Sequence, residues 1–403
     1  MAKETINVID IRSDKVICLV AQEIQLLDKG KLTQLIGVGV SRLPVTCQKP
    51  LALDDISLKQ HISEAVKAAE NETSTTIDKV TISISDNMQS QHLTHEVKCI
   101  DAKITSDDIK SFFSSKEFSD LYTINNEPLH SFPISYQIDN NKIVSDPIGL
   151  SSEILRTTWH VVSVSKDFLK KIHNIFSELD INVHQAVSSF YASSLAALRE
   201  SESDLGSICI DIQKNQTYLS YTFDNQLIGF DSVKIGTFHF ANDISQIKSI
   251  SIDESEIYRK KYDTHNIDKK RNTADEQIYQ IYLSRAEELA EVIFSLIQKS
   301  RFRDLTDNNI ILTGYGSKSQ IFNKIFSLKL NNSNFRVGAT LKLNGPKTYI
   351  DNPSFTSSCG LLIYVVNHDL EGSNHEKNTK KRTIISTISV SYTHLRAHET
   401  PAN

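Results

Sequence analysis

One pattern occurs twice in this chain and restricts its fold more than any other feature. Ile6-Asn7-Val8-Ile9-Asp10-Ile11 is a short β-branched run carrying an acid near its end, and Ser207-Ile208-Cys209-Ile210-Asp211-Ile212 repeats it. Each copy is followed by a second apolar run (16–21; 217–223), a polar turn (Asp28-Lys29-Gly30; Asp224-Asn225-Gln226) and a third run (33–40; 227–233). Such runs, separated by turn residues, read as antiparallel meanders. The first meander leads into residues 53–71, where Leu53, Ile56, Leu58, Ile62, Ala65, Val66 and Ala69 keep a helical spacing, and then into a strand at 80–84. The order β-β-β-α-β, begun twice, predicts an α/β chain of two duplicated cores. A doubly wound dinucleotide fold would alternate strand and helix from the start.

Residues 87–136 break the pattern. They are polar, with a helix expected at 105–113 behind the N-cap sequence Thr105-Ser106-Asp107-Asp108. They read as an inserted subdomain that closes near Asp146-Pro147-Ile148-Gly149-Leu150. A strand at 159–164, a helix at 166–179, a strand at 181–187 and a small-residue helix at 189–198 are expected to resume the first core. In the second half, residues 266–277 read as a surface excursion and 278–300 as a long amphipathic helix. Residues 309–314 read as a buried strand ending in a glycine turn, 360–366 as the last strand, and 372–382 as a polar, basic linker.

Composition narrows the function classes. Of 403 residues, 39% are hydrophobic and 23% charged, with a net charge of −5, which argues against an obligatory nucleic-acid partner. The five cysteines are scattered and never form C-x-x-C, so a disulfide framework or zinc site is not expected and a reducing compartment is. No secretory h-region is expected at the start, and no apolar run reaches the ~20 residues of a membrane span.

With these elements in place, the chain resembles the superfamily of actin, heat-shock chaperone ATPases and sugar kinases, and within it the FtsA family of bacterial cell-division proteins. The resemblance runs over about residues 5–366 and rests on ordered short segments. Asp146-Pro147-Ile148-Gly149-Leu150 resembles the P-x-G-L that closes the family's inserted subdomain. Gly236 with Asn242-Asp243-Ile244, then Ser255-Glu256, Arg259 and Tyr262, resemble the segments after the second meander. Ser284-Arg285-Ala286-Glu287-Glu288, Leu312-Thr313-Gly314-Tyr315-Gly316, Arg336-Val337-Gly338, Asp351-Asn352-Pro353 and Gly360-Leu361-Leu362-Ile363-Tyr364 resemble the rest. The fold implied is duplicated actin-like, ribonuclease H-like cores around a cleft. The first core comprises 1–85 and 158–200, with an SHS2-like insertion at 86–157. The second comprises 201–235 and 306–368, with a smaller subdomain at 236–305; residues 369–403 are a linker and tail.

The resemblance implies a nucleotide cleft for ATP with magnesium, formed by Asp10, Arg12, Ser13, Lys15, Asp211, Gln213, Thr217, Gly236, Glu256, Arg259, Gly314, Tyr315 and Gly316. Glycine-rich loops normally let backbone N–H groups approach phosphates. Here Arg12 stands where the first loop has glycine, the second loop, Asp211 to Thr217, has lost all three, and Tyr315 separates Gly314 from Gly316. Two readings stay open. Either Arg12 and Lys214 add positive charge beside a bound triphosphate, or the cleft survives as architecture and binds nucleotide weakly or not at all. Either way no catalytic residue is expected, and the chain reads as at most a vestigial ATPase.

The implied partners are the C-terminal peptide of the tubulin-like FtsZ, gripped near Arg285 and Glu288, further copies of the chain in filaments, and later division proteins meeting the inserted subdomain. The implied location is the cytoplasmic face of the inner membrane at the septum. Arg285, Glu287 and Glu288 have a second reading as surface pairs on one helix. An actin-like pilus-assembly scaffold is the alternative function, and a small-molecule kinase a more distant one. His92 and His95 fall on a strand, where odd spacing sends them to opposite faces, so they read as solvent-facing and not as metal ligands. The tail carries Lys377, Lys380, Lys381 and Arg382 but no apolar stripe for membrane insertion. Residues 391–400 resemble a translated sequencing adaptor, and the native end is expected to be lost near 388.

Overall fold

Strand β1 (Thr5–Ile11) is buried from Val8 onward, as a central strand covered on both faces must be. It runs antiparallel to β2 (Lys15–Leu26), and β2 to β3 (Gly30–Arg42), giving the expected meander. Helix α1 (Asp55–Thr73) lies on it through Leu58, Ile62, Ala65, Val66 and Ala69, which recur every three or four residues and form its buried face. The chain returns in β4 (Lys79–Ile84), parallel to β1. This computed structural model describes residues 5–26, 30–47, 55–99, 103–139, 142–264, 273–306, 309–330 and 334–374.

After β4 the chain leaves the first sheet. Strand β5 (Met88–Lys98), helices α2 (Ser106–Lys110) and α3 (Lys116–Thr123), and strands β6 (Asn126–Ile138), β7 (Lys142–Val144) and β8 (Ile154–Ser165) build a separate sheet in the order β5-β8-β6-β7. Thr105 caps α2 by accepting from the Asp108 N–H, while the Asp108 carboxylate accepts from the Thr105 N–H. Trp159 sits at the centre, stacked on Phe112 at 4.6 Å with Phe113 edge-on at 5.3 Å.

Two expectations are corrected in this unit. The strand at 159–164 does not belong to the first core: Trp159 lies opposite Leu93 on β5 and Pro133 on β6. The inserted sheet therefore extends past residue 157. A run of alternating apolar residues fits either sheet, and what decides is that Trp159 finds aromatic partners, Phe112 and Phe113, in the insertion. His92 and His95 do lie on a strand, but neither faces solvent. His92 stacks on buried His160 at 4.9 Å and bonds to the Ile228 carbonyl at 2.8 Å, whereas His95 bonds to Ser111 at 3.0 Å.

Helix α4 (Lys166–Ser177) leads back to the first sheet at β9 (Asn182–Ser188), parallel to β4. Helices α5 (Ser189–Ala197) and α6 (Glu200–Leu205) then cross to the second core. Strands β10 (Ser207–Ile212), β11 (Thr217–Phe223) and β12 (Gln226–Val233) form its meander. Helices α7 (Thr237–Lys248), α8 (Ile252–Asp263), α9 (Thr273–Lys299) and α10 (Arg303–Thr306) follow. Strand β13 (Asn309–Thr313), helix α11 (Gln320–Lys329), strand β14 (Asn334–Val337) and helices α12 (Lys347–Ile350) and α13 (Thr356–Asn374) complete the chain.

The duplication is visible in register. The sheets run β3-β2-β1-β4-β9 and β12-β11-β10-β13-β14. Asp10 lies opposite Ile17 and Ser83, and Asp211 opposite Tyr218 and Thr313, so the two acids occupy equivalent points.

Residues 360–366, expected as a strand, lie within α13. Cys359 to Tyr364 are buried against α5 and the first sheet. An apolar run buried on all sides carries no periodicity to separate helix from strand. Residues 273–277, expected as surface excursion, begin α9, and α13 continues to Asn374 where linker was expected from 372. The basic tail and the adaptor-like segment lie outside the described residues.

Candidate functional site

The two acids of the repeated strands meet across the boundary between the cores. Asp10 accepts from Ser83, from Ser357 at 2.5 Å and from Ser358 at 2.7 Å. Asp211 accepts from Ser193 at 2.8 Å and from the Gln213 amide at 2.9 Å. Burial pushes the Asp211 pKa up, and the nearby Arg12 charge opposes this. Both carboxylates are therefore anchored by hydroxyls, and Asp10 shares its two oxygens among three donors.

The cations of the two loops point into the same space. Arg12 is buried, donates to the Ser354 carbonyl at 2.7 Å and lies 3.5 Å from Asp14. Burial alone would lower its pKa, but Asp14, Asp10 and Asp211 outweigh that and hold it above the ordinary value. Its Nη2 is buried without a hydrogen bond, so its role toward the acids is that of a counter-charge. Lys15 lies over the Phe355 ring at 4.2 Å, and burial pulls its pKa down to about 8. Lys214 crosses from the second core to the first and donates to the carbonyls of Cys47 at 2.9 Å, Ser13 at 3.0 Å and Pro44 at 3.2 Å.

The helix end beyond the second loop is occupied as well. Thr237 N–H donates to the Gln213 carbonyl at 3.0 Å and Phe238 N–H to the Lys214 carbonyl at 2.8 Å. Gly236 permits this closeness, since a Cβ there would lie 2.4 Å from the Gln213 carbonyl oxygen. Thr217 turns away from the cleft and donates to the Ile235 carbonyl at 2.8 Å.

On the far side, Arg259 is held in a fork by Glu256 at 2.6 and 2.7 Å, bonds to Asp263 at 2.6 Å and stacks on Tyr315 at 4.8 Å. Tyr282 donates to Asp263 and bonds to Ser319. Gly314 has φ +80, and a Cβ would lie 2.2 Å from the Asp211 carboxylate, so glycine is required there. The cavity bordered by Thr237, Arg259, Asp263, Gly316 and Ser319 measures about 10 Å³, enough for roughly one water molecule.

Apart from Thr217, the residues expected at the cleft thus converge, but other groups of the chain already engage them, many from outside the expected set. Magnesium and a triphosphate need open acid oxygens and free backbone donors. Here the donors of α7 and the oxygens of Asp10 are taken, and the side chains of Arg12 and Lys214 fill the loops. The residues do not fit that ligand in this arrangement. Sequence reasoning missed Ser83, Ser193, Ser357, Ser358, Gln216 and Tyr218. Ser357-Ser358 became legible only once the following run was known to be helical.

Comparison with known proteins finds likenesses at two levels. Residues 85–163 match the family described as the SHS2 domain inserted in FTSA. Over 396 residues the chain is 25% identical to the cell division protein FtsA of Rhizobium meliloti (strain 1021), covering 91% of this chain and 88% of that one. By sequence the chain is similar to FtsA over most of its length. The FtsA of Borreliella burgdorferi is 22% identical over 406 residues, covering 95% of each. Among solved structures, the PilM-PilN type IV pilus biogenesis complex superimposes with TM-score 0.65 at 13% identity, covering 90% of this chain and 99% of that one. The ethanolamine utilization protein EutJ from Carboxydothermus hydrogenoformans gives 0.51 at 10%, covering 90% and 91%. These likenesses carry the fold, which is actin-like with duplicated cores and the FtsA insertion.

The partner residues expected on α9 are engaged internally. Arg285 clamps α9 to α7 through a fork on Asp243 at 2.6 and 3.0 Å, and also bonds to Glu288 at 2.5 Å. The surface pairing read from the sequence is present, and Arg285 ties two helices besides. Glu288 remains half exposed.

Proposed function

We propose that this chain is a cell-division scaffold that links FtsZ filaments to the cytoplasmic face of the inner membrane. The observation that carries this reading is the SHS2 match at 85–163 within a chain that aligns with FtsA over most of its length. In this reading the FtsZ tail peptide docks on the α7–α9 unit around Arg285 and Glu288. The inserted sheet meets later division proteins, and copies associate into filaments. Among the described residues no helix is long and apolar enough to cross a membrane, so contact would be peripheral and would need the segment beyond α13.

The scaffold works by holding surfaces, not by turnover. Asp10 and Asp211 are anchored by hydrogen bonds, which supports a vestigial nucleotide site with ATP affinity far below that of glycine-looped relatives. The pilus-scaffold reading shares the fold, and the PilM structure supports it at the level of the fold alone.

A pull-down with the C-terminal peptide of FtsZ, using a pilus-assembly peptide as control, separates the two readings. Retention of the FtsZ peptide alone is expected. Retention of only the control would replace the proposal with its alternative.

A further inference from the structure

We infer that the cleft is clamped shut by the chain's own cations, with Lys214 bridging the cores where a nucleotide's phosphates would and Arg12 serving as the counter-charge that a metal would supply. This rests on reading the cleft as derived from a nucleotide site, and not on the scaffold role or on FtsZ binding.

Three observations carry it. An ammonium has three N–H donors and a neutral amine two. Lys214 reaches three separate carbonyls, those of Ser13, Pro44 and Cys47, all in the first core, so every donor of a charged Lys214 is used across the boundary. The carbonyls converge on it as they would on a bound cation.

Two neighbours on the same loop and strand make the crossing as well. Gln216 donates to the Ser85 carbonyl at 2.6 Å and to Asp86 at 3.1 Å, and the Tyr218 hydroxyl donates to the Ser85 carbonyl. The bridge is thus built from alternate positions of one segment, 214, 216 and 218, against 13, 44, 47, 85 and 86. Glycine at 214 could make none of the lysine's contacts.

Acids and cations already interleave at this boundary. Asp10, Asp14 and Asp211 face Arg12, Lys15 and Lys214 within this cluster. A triphosphate entering would have to displace Lys214 from its carbonyls and Arg12 from its acids while adding negative charge beside Asp10, Asp14 and Asp211. The same loop carbonyls, Gln213 and Lys214, already cap α7. Closure in this chain is a property of its sequence, so assembly surfaces that depend on the angle between the cores are set without nucleotide.

The test is amide hydrogen exchange on the full chain, comparing residues 41–47 with the inserted sheet at 155–164. The wild type is expected to show the same protection at 41–47 with and without millimolar Mg·ATP. Lys214→Ala is expected to raise exchange at 41–47 by at least about tenfold, since charge-assisted hydrogen bonds are lost, while 155–164 stays unchanged. Lys214→Met keeps the apolar stem and gives the same readout if the alanine variant does not fold. Protection of 41–47 by Mg·ATP in the wild type would overturn the inference. So would unchanged exchange in a folded Lys214 variant, or an equal rise along the whole chain. FtsZ-peptide binding can succeed or fail independently of each result.

Discussion

Ser193 on α5 donates to Asp211 on β10 at 2.8 Å, tying the helix that ends the first core to the acid that opens the second. Ser357 on α13 makes the reciprocal tie to Asp10 at 2.5 Å. Each core's acid is thus held by the helix that follows the other core. Ser193→Ala leaves a fully buried Asp211 oxygen short of a donor. A loss of about 1–3 kcal/mol is expected from the urea midpoint, with Ser357→Ala in the same range.

Gly360 sets how closely α5 and α13 cross. A Cβ at 360 would lie 1.8 Å from the Ala192 carbonyl oxygen, which is backbone and cannot step aside. Gly360→Val should therefore destabilise by about 3 kcal/mol or more in thermal unfolding, at or above the upper end for overpacked cores. Gly149 has φ +80 but nothing within 4 Å, so Gly149→Ala should cost only about 1 kcal/mol of backbone strain. Equal losses at the two sites would contradict the packing account.

Much of this architecture could be read from the sequence, and the failures share one cause. Helix α1 was legible because its faces differ in polarity, which imposes a period, whereas the duplicated meanders, whose central strands are buried on both faces, were legible from their repetition and turn residues, and the insertion from its polar break in that pattern. Where a stretch is buried all round, as α13 is from Cys359 to Tyr364, the period vanishes and helix cannot be told from strand. The owner of β8 was illegible because two sheets compete for one strand and only Trp159's partners decide. At the cleft, the acids and cations could be named, but not the groups that satisfy them. The serines holding Asp10 come from positions 83, 357 and 358, and nothing local in sequence brings these together.

The histidines predict a pH dependence. Burial lowers the pKa of His160 and of His130 to about 3, from an ordinary 6.5. His92 is lowered as well, by burial first. The His160 Nδ1–H donates to the Leu227 carbonyl, so the ring docks the inserted sheet on β12 in its neutral form. Below pH 6.5 the unfolded chain takes up these protons and the folded chain does not. Stability should therefore fall as pH drops from about 6.5 toward 3, by up to about 1.4 kcal/mol per pH unit for each histidine. Urea melts between pH 6.5 and 5 should show this slope, and His160→Phe should reduce it by about one proton. An unchanged slope would mean that His160 is not the titrating group.

In the inserted sheet, Phe112 carries the stack on Trp159 and is fully buried. Phe112→Ala should cost about 3–5 kcal/mol. Amide exchange should rise first at 155–164, ahead of the two cores, because the insertion has its own core.

The scaffold reading stands or falls on the α7–α9 unit, and fluorescence anisotropy of a labelled FtsZ C-terminal peptide against the full chain tests it directly. Saturable binding is predicted, weakened about tenfold or more, or roughly 1.4 kcal/mol, by Glu288→Lys, with unfolding temperature held as the control for the Arg285 clamp. No binding to a folded chain, or binding indifferent to Glu288→Lys and to Arg285→Ala alike, would contradict the account.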